Sequence, residues 1–134
     1  MRNAQDLLDE LNEVDESTRI EAKRASDVGK AIMETVIAFA NEPGLDGGYL
    51  LLGVDWVTNE KGDTIYTPAG LPEPDKVQRD LASQCVTMLN IALRPEMKLE
   101  QLEGKTVLVV YVPEVDVSYK PVYKKATGLP RGAY

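Results

Sequence analysis

The sequence predicts an α+β fold: a single domain with a mixed β-sheet, two long helices and a short N-terminal helix. Three observations carry this. Residues 27–41 and 75–93 keep apolar side chains near helical spacing. The run Val107-Leu108-Val109-Val110-Tyr111-Val112 is apolar almost throughout, as a strand covered on both faces would be. Helices fall among hairpin patterns instead of alternating strictly with single strands. At 134 residues and 43% hydrophobic content, the chain is near the common domain size and can fill one core.

The elements follow in chain order. Leu7, Leu8 and Leu11 recur at helical spacing, so residues 5–12 read as a short amphipathic helix. It is expected to be an N-terminal arm over residues 1–14, with its acidic residues in water and the main domain at 15–134. Thr18 to Lys23 alternates as a strand does. Ile20 and Ala22 share one face; Arg19, Glu21 and Lys23 share the other. Asp27 is the expected N-cap of a helix that runs to Asn41, with Val28, Ile32, Val36 and Phe39 as its apolar stripe.

The glycine-rich loop Pro43–Gly48 then turns the chain, with glycines supplying positive φ. It lacks the Lys-Ser/Thr of a P-loop, which excludes that kind of nucleotide cradle. Tyr49 to Val54 reads as one buried strand ending at Asp55. Thr64 to Thr67 is expected to pair back as a hairpin, and 75–93 is the second long helix. Met97–Leu102 and Thr106–Val112 form a hairpin turned at Glu103-Gly104-Lys105. A last short strand at Val122–Lys125 is expected to finish the sheet.

Composition narrows the chemistry. Twenty-two acidic against fifteen basic residues give a net charge of −7. That counts against a broad phosphate-binding surface, because nonspecific nucleic-acid affinity comes mainly from Lys and Arg displacing counterions; a local basic stripe is still allowed. With no histidine in the sequence, Ser-His and Cys-His pairs and histidine-bearing zinc sites are excluded within it. Cys85 is the sole cysteine, so the sequence holds no disulfide framework, and it reads as a small core residue. Met1-Arg2 leads into an acidic helix, not an apolar leader, and no run is long enough to span a membrane, so a cytoplasmic location is expected.

The densest chemistry lies early. Glu16-Ser17-Thr18-Arg19-Ile20-Glu21-Ala22-Lys23 is followed by Ala38-Phe39-Ala40-Asn41, then by Gly47-Gly48-Tyr49-Leu50-Leu51-Leu52-Gly53-Val54-Asp55. Three carboxylates and a lysine thus stand at the edges of two strands joined by a helix. Such a set binds a divalent metal or a polar ligand, or it is merely turn residues and a solvated strand face. Glu16 lies five residues before Glu21 and reaches its face only through a turn or bulge near Ser17. The compact helix between the strands makes them expected neighbours.

The pattern Glu-Ser-x-x-x-Glu-x-Lys, the helix ending Ala-Phe-Ala-Asn and the Gly-Gly strand ending Gly-Val-Asp resemble the Schlafen/AlbA_2 domain family, also called the divergent AAA-4 domain. Val112-Pro113, Lys120-Pro121-Val122-Tyr123 and Arg131-Gly132 fall where that family carries similar pieces. The resemblance spans roughly residues 13–134. It implies a DNA-binding module of a bacterial transcriptional regulator or helicase-like protein, continuing past Arg131-Gly132 into further domains. The basic candidates are Arg19, Lys23, Arg24 and Lys30 early, and Lys120, Lys124, Lys125 and Arg131 late. They merge into one patch if the last strand pairs near the first; Tyr119, Tyr123 and Tyr134 are then placed to stack on bases.

The resemblance also implies an alternative, a Schlafen-type endoribonuclease using Mg²⁺ or Mn²⁺. Glu16, Glu21 and Asp55 would be its metal ligands and catalytic carboxylates, with Lys23 beside them. Active members tend to carry a further acid after Gly-Val-Asp, where this chain has Trp56. No cofactor other than that ion is expected. The family's two-lobed arrangement needs a second copy of the domain, so a homo-oligomer is the expected assembly. An interaction module driving oligomerisation is the third alternative.

Overall fold

Leu50, Leu51 and Leu52 are each 0% exposed, as are Val107, Leu108, Val109 and Val110. Strands buried over successive residues need cover on both faces, and the architecture supplies it. The computed structural model describes residues 1–14 and 19–126, bar the side chain of Lys30. Its elements are α1 (Ala4–Glu13), β1 (Ile20–Lys23), α2 (Lys30–Asn41), β2 (Gly48–Leu52), β3 (Val54–Thr58), β4 (Thr64–Pro68), α3 (Pro74–Thr87), β5 (Glu96–Leu102) and β6 (Lys105–Val112). The four-stranded sheet runs β1-β2-β6-β5, and β3-β4 is a separate two-stranded ribbon. β1 and β2 are parallel, joined through α2 as the compact crossover requires; the other pairs are antiparallel. The fold is α+β with a mixed sheet, as expected.

Side-chain alternation divides the core in two. On one face Leu50, Leu52, Leu108 and Val110 meet Ile32, Met33 and Val36 of α2 and Leu81 and Cys85 of α3. On the other, Leu51, Val107 and Val109 meet Ala4, Leu7, Leu8 and Leu11 of α1, with Trp56 and Tyr66 of the ribbon packed alongside. The N-terminal helix thus lies on the sheet as part of the core. Asn3 caps it, its side chain accepting from Asp6 N at 2.9 Å.

Four expectations need correction. Tyr49–Val54 is not one strand. Gly53 adopts φ +99°, the chain leaves the sheet there, and β3 starts a new ribbon. Gly53 O accepts from Ala69 N and Gly70 N at 2.9 and 2.8 Å, so one glycine both kinks the strand and ties back the ribbon. Asp27 does not cap α2. It ends a 3-10 turn at Ala25–Asp27, and the cap is Gly29 at φ +147°. α3 stops at Thr87 instead of running to 93, because Met88, Leu89 and Asn90 pair with the C-terminal segment. That segment does not join the sheet: it makes one bridge, Leu89 to Lys124.

The substitute for that strand is amide pairing. Asn41 Oδ1 accepts from Val122 N at 2.8 Å, and its Nδ2 donates to Val122 O at 2.9 Å. Asn90 does the same with Tyr123 N (2.8 Å) and Pro121 O (3.2 Å). Asn12 grips Tyr66 N and O at 2.8 and 3.0 Å, covering the edge of β4. A side-chain amide offers the donor–acceptor pair of a backbone peptide, so each asparagine acts as one rung of a ladder.

Asn41 is the buried one, and replacing it by alanine strands a buried N–H and C=O of Val122. Asn41→Ala should lower the unfolding free energy by about 2–6 kcal/mol, at about 1–3 kcal/mol for each of the two unsatisfied groups. Asn90→Ala, nearer the surface, should cost less than half of that; urea unfolding of both variants checks the difference.

Candidate nucleic-acid interface around the second helix

Parallel pairing puts Glu21 beside Leu50 and Lys23 beside Leu52, so both side chains stand on the α2 face of the sheet. There Glu21 Oε2 accepts from Thr35 Oγ1 at 2.5 Å and meets Lys23 Nζ at 3.3 Å. Thr35 belongs to the outward row of α2 that includes Ala31, Glu34 and Ala38. Between that row and β1 runs an open groove of about 730 Å³, lined by Glu21, Lys23, Ala31, Glu34, Thr35 and Ala38 among others. Its small side chains leave the helix flank accessible.

The late basic residues approach the same helix from the other side. Lys124 Nζ lies 3.9 Å from Glu34 Oε1, brought there by the Asn41 and Asn90 clamps on its neighbours. Lys120 Nζ lies 2.7 Å from Glu114 Oε2, whose other oxygen accepts from Gly44 N and Asp46 N in the loop after α2. Lys125 is exposed beside Lys124. Lys23 from the early set and Lys124 from the late set therefore border α2, with Lys120 tied to the loop that follows it, while Arg24 of the early set lies on the ribbon. The last segment does not pair near β1, so the condition for one merged patch at a strand edge is not met.

Asp55 sits elsewhere, on the ribbon. Arg24, just past β1, lies with its guanidinium carbon 3.9 Å from the centroid of the Trp56 ring, donates from Nη2 to Trp56 O at 2.9 Å, and has Nε 3.8 Å from Asp55 Oδ1. Arg24 and Asp55 thus pin the ribbon to β1, with the cation–π contact supplying about 0.5–2 kcal/mol. Glu21 and Asp55 each face a cation of their own. Among the described residues no group of three or more Asp, Glu or Cys is placed to share a metal ion. Glu16 and Arg131 lie outside the described residues, as does Tyr134. Arg19 is exposed at the entry to β1, where its carbonyl accepts from Tyr49 N.

The electrostatic picture follows. Lys23, Arg24, Lys120 and Lys124 each face a carboxylate within 4 Å. The Arg24–Asp55 pair is exposed and contributes only about 0–1 kcal/mol. The lysines of the other three pairs are only 17–19% exposed, so a phosphate reaches them by displacing a carboxylate that is partly shielded from water. Lys120 holds the Glu114 carboxyl below its usual value, an effect opposed by partial burial and reinforced by the loop amides. Burial pushes the Cys85 thiol up to about 11, which leaves it protonated and inert at neutral pH.

Thr35 and Glu114 were not singled out by the sequence, and Asn41 entered only as the end of the helix and of its Ala-Phe-Ala-Asn motif. Asn41 carried a signal: it continues the i, i+4 row of Met33 and Ile37, and a polar residue on a buried row needs a partner. Glu114 has one near partner, Lys120, but the loop amides that its other oxygen holds lie about 70 residues away, and no local pattern marks them.

With this geometry in view, the known proteins that resemble the chain fall into place. The family described as Schlafen, AlbA_2 matches residues 16–131. No curated protein matches the chain. Among solved structures, the chain is similar to the solution structure of the N-terminal domain of a candidate ATP-dependent DNA helicase, a RecG-related protein from Nitrosomonas europaea. That match is at 80% identity and TM-score 0.89, covering 100% of this chain and 88% of that one. It also shares its fold with a crystal structure of a Corynebacterium diphtheriae protein, at 17% identity and TM-score 0.55. There it covers 91% of this chain but spans only 26% of that one.

The Glu114 pairing makes a pH prediction. A carboxyl lowered in the folded state contributes stability that is present above its unfolded value, near 4.5, and is lost as pH falls through the folded value. Wild-type protein should therefore lose stability below about pH 4.5 more steeply than Glu114→Gln, and thermal melts from pH 7 to pH 3 should show the two curves converging.

Proposed function

Because the chain belongs to the Schlafen AlbA_2 family, we propose that it is a nucleic-acid-binding module of a longer helicase-like or regulatory protein. The observation that carries this is the 80% identity over the whole chain to the N-terminal domain of a RecG-related protein named as a candidate DNA helicase. The geometry supports a specific place for the contact: the outward face of α2, flanked by Lys23 on one side and by Lys120, Lys124 and Lys125 on the other. Among the described residues no helix is long and apolar enough to cross a membrane.

The ion pairs set the strength of binding. With a net charge of −7 and its flanking lysines largely matched by acids, one domain engages few phosphates. Binding is weak and depends on the neighbouring domains or on further copies for avidity. Duplex DNA is the expected ligand. Its affinity should fall with salt at a log–log slope of about −2 to −4, since each neutralised phosphate adds about 0.9. Lys23→Ala and Lys124→Ala should each make that slope shallower by about 1. A fluorescence-anisotropy titration at several salt concentrations reads both; no detectable binding at low salt would remove the proposal.

Metal-dependent RNA cleavage is the second reading, favoured by Glu21, Lys23 and Thr35 sharing an open groove. The described residues do not complete a ligand set for Mg²⁺ or Mn²⁺, so this reading rests on what Glu16 adds. Its test is cleavage of a structured RNA that appears on adding Mn²⁺ and disappears in Glu21→Gln. Intact RNA with the wild-type protein would remove it.

A further inference from the structure

β5 is an edge strand whose outer side nothing among the described residues covers. It pairs only with β6, in the register Glu96↔Tyr111 through Leu102↔Lys105. The tight turn at Glu103-Gly104 makes Leu102 and Lys105 the closing hydrogen-bonded pair, so the peptides of Glu96, Lys98 and Glu100 also face β6. Those of Met97, Leu99 and Gln101 point outward. The strand carries no proline or bulge within Glu96–Leu102 to block pairing. Its charges alternate: Lys98 and Glu100 stand on the α1 face, their Nζ and Oε2 3.9 Å apart, so pairing across copies adds a second partner to each, and Met97 and Leu99 stand on the α3 face beside α3.

We propose that this edge is a self-association surface, on which β5 pairs antiparallel with β5 of a second copy about a two-fold axis at Leu99. That register sets Lys98 opposite Glu100 of the other copy, twice by symmetry, and Leu99 opposite Leu99. Each outward peptide of Met97, Leu99 and Gln101 then gives and accepts one bond. Other registers do worse. An axis at Lys98 or at Glu100 sets like charges face to face, and an axis at Met97 places Leu99 against Pro95, which has no N–H.

The charge pattern also makes the edge selective. An exposed Lys on an edge strand discourages pairing with strands that bring no acid to meet it, and a second copy brings one. On the α3 face a groove of about 280 Å³, lined by Gln78, Ala82, Val86, Leu93 and Met97, borders the strand, and the exposed Ala82 leaves room for the helix of the other copy. The result is a continuous sheet across two copies. The surface does not depend on the nucleic-acid reading, since β5 lies at the opposite end of the sheet from β1.

Sedimentation velocity on the 134-residue chain and two charge variants tests this. Wild type should show a concentration-dependent dimer up to high micromolar. K98E and E100K should each weaken it roughly tenfold or more, since two opposed pairs become like-charged, at up to about 1 kcal/mol each. An equimolar mixture of the two variants sets acid opposite base at every position and should associate at least as well as wild type. E100K also loses the bond from Ala4 N to Glu100, so circular dichroism checks its fold; if it is unfolded, K98E alone decides. A wild-type monomer throughout, a dimer that K98E leaves unchanged, or a mixture no heavier than its folded components would each overturn the proposal.

Discussion

Two adjacent strands, β2 and β6, are apolar on both faces, and the rest of the fold answers that constraint. Burying residues such as Leu51 and Val109 on one side and Leu52 and Val110 on the other needs two covering layers. α2 and α3 supply one; α1 and the ribbon supply the other. With β2 and β6 at the centre, β1 and β5 become the outer strands, and the polar residues of the chain collect there. Gly48 shows how tight the central layer is: a Cβ there would come within 2.5 Å of the Phe39 ring, so α2 rests almost on the backbone of β2. The position of α2, and hence of the groove beside it, follows from that close contact.

The parts that local pattern controls were legible in the sequence. The helical rows of α1 and α2, the alternation of Ile20 and Ala22 against Glu21 and Lys23, and the 103–104 turn all came from periodicity and turn chemistry. So did the parallel neighbours β1 and β2, from the compact crossover. What was missed depends on distant partners. The spacing of Leu89 and Leu93 imitates a helix, yet the chain turns out because Asn90 meets Tyr123. Val54 extends an apolar run in sequence, yet Gly53 breaks it in space. Val122 has strand character, yet it pairs with the side chain of Asn41 instead of a strand.

The candidate site was partly legible for the same reason. Glu21 and Lys23 stand on one face, as the alternation implied, while of the basic residues only Lys23 and Lys124 are brought to the flanks of α2. Their meeting point is α2 because two asparagines hold the C-terminal segment along that helix. Asp55 belongs to the ribbon, where Arg24 and Trp56 engage it. The acidic excess matters more than any single residue. Lys23 and Lys124 beside α2 and Lys120 beside the following loop each face a carboxylate, so the surface near α2 carries little net positive charge.

Amide chemical-shift mapping of the labelled domain during titration with a short DNA duplex at low salt tests the central claim most directly. The account predicts that the shifts cluster at Lys23, along α2 and at Lys120 to Lys125, and that they fade as salt is added. Shifts confined to the ribbon or to β5, or none at saturating DNA, would contradict it.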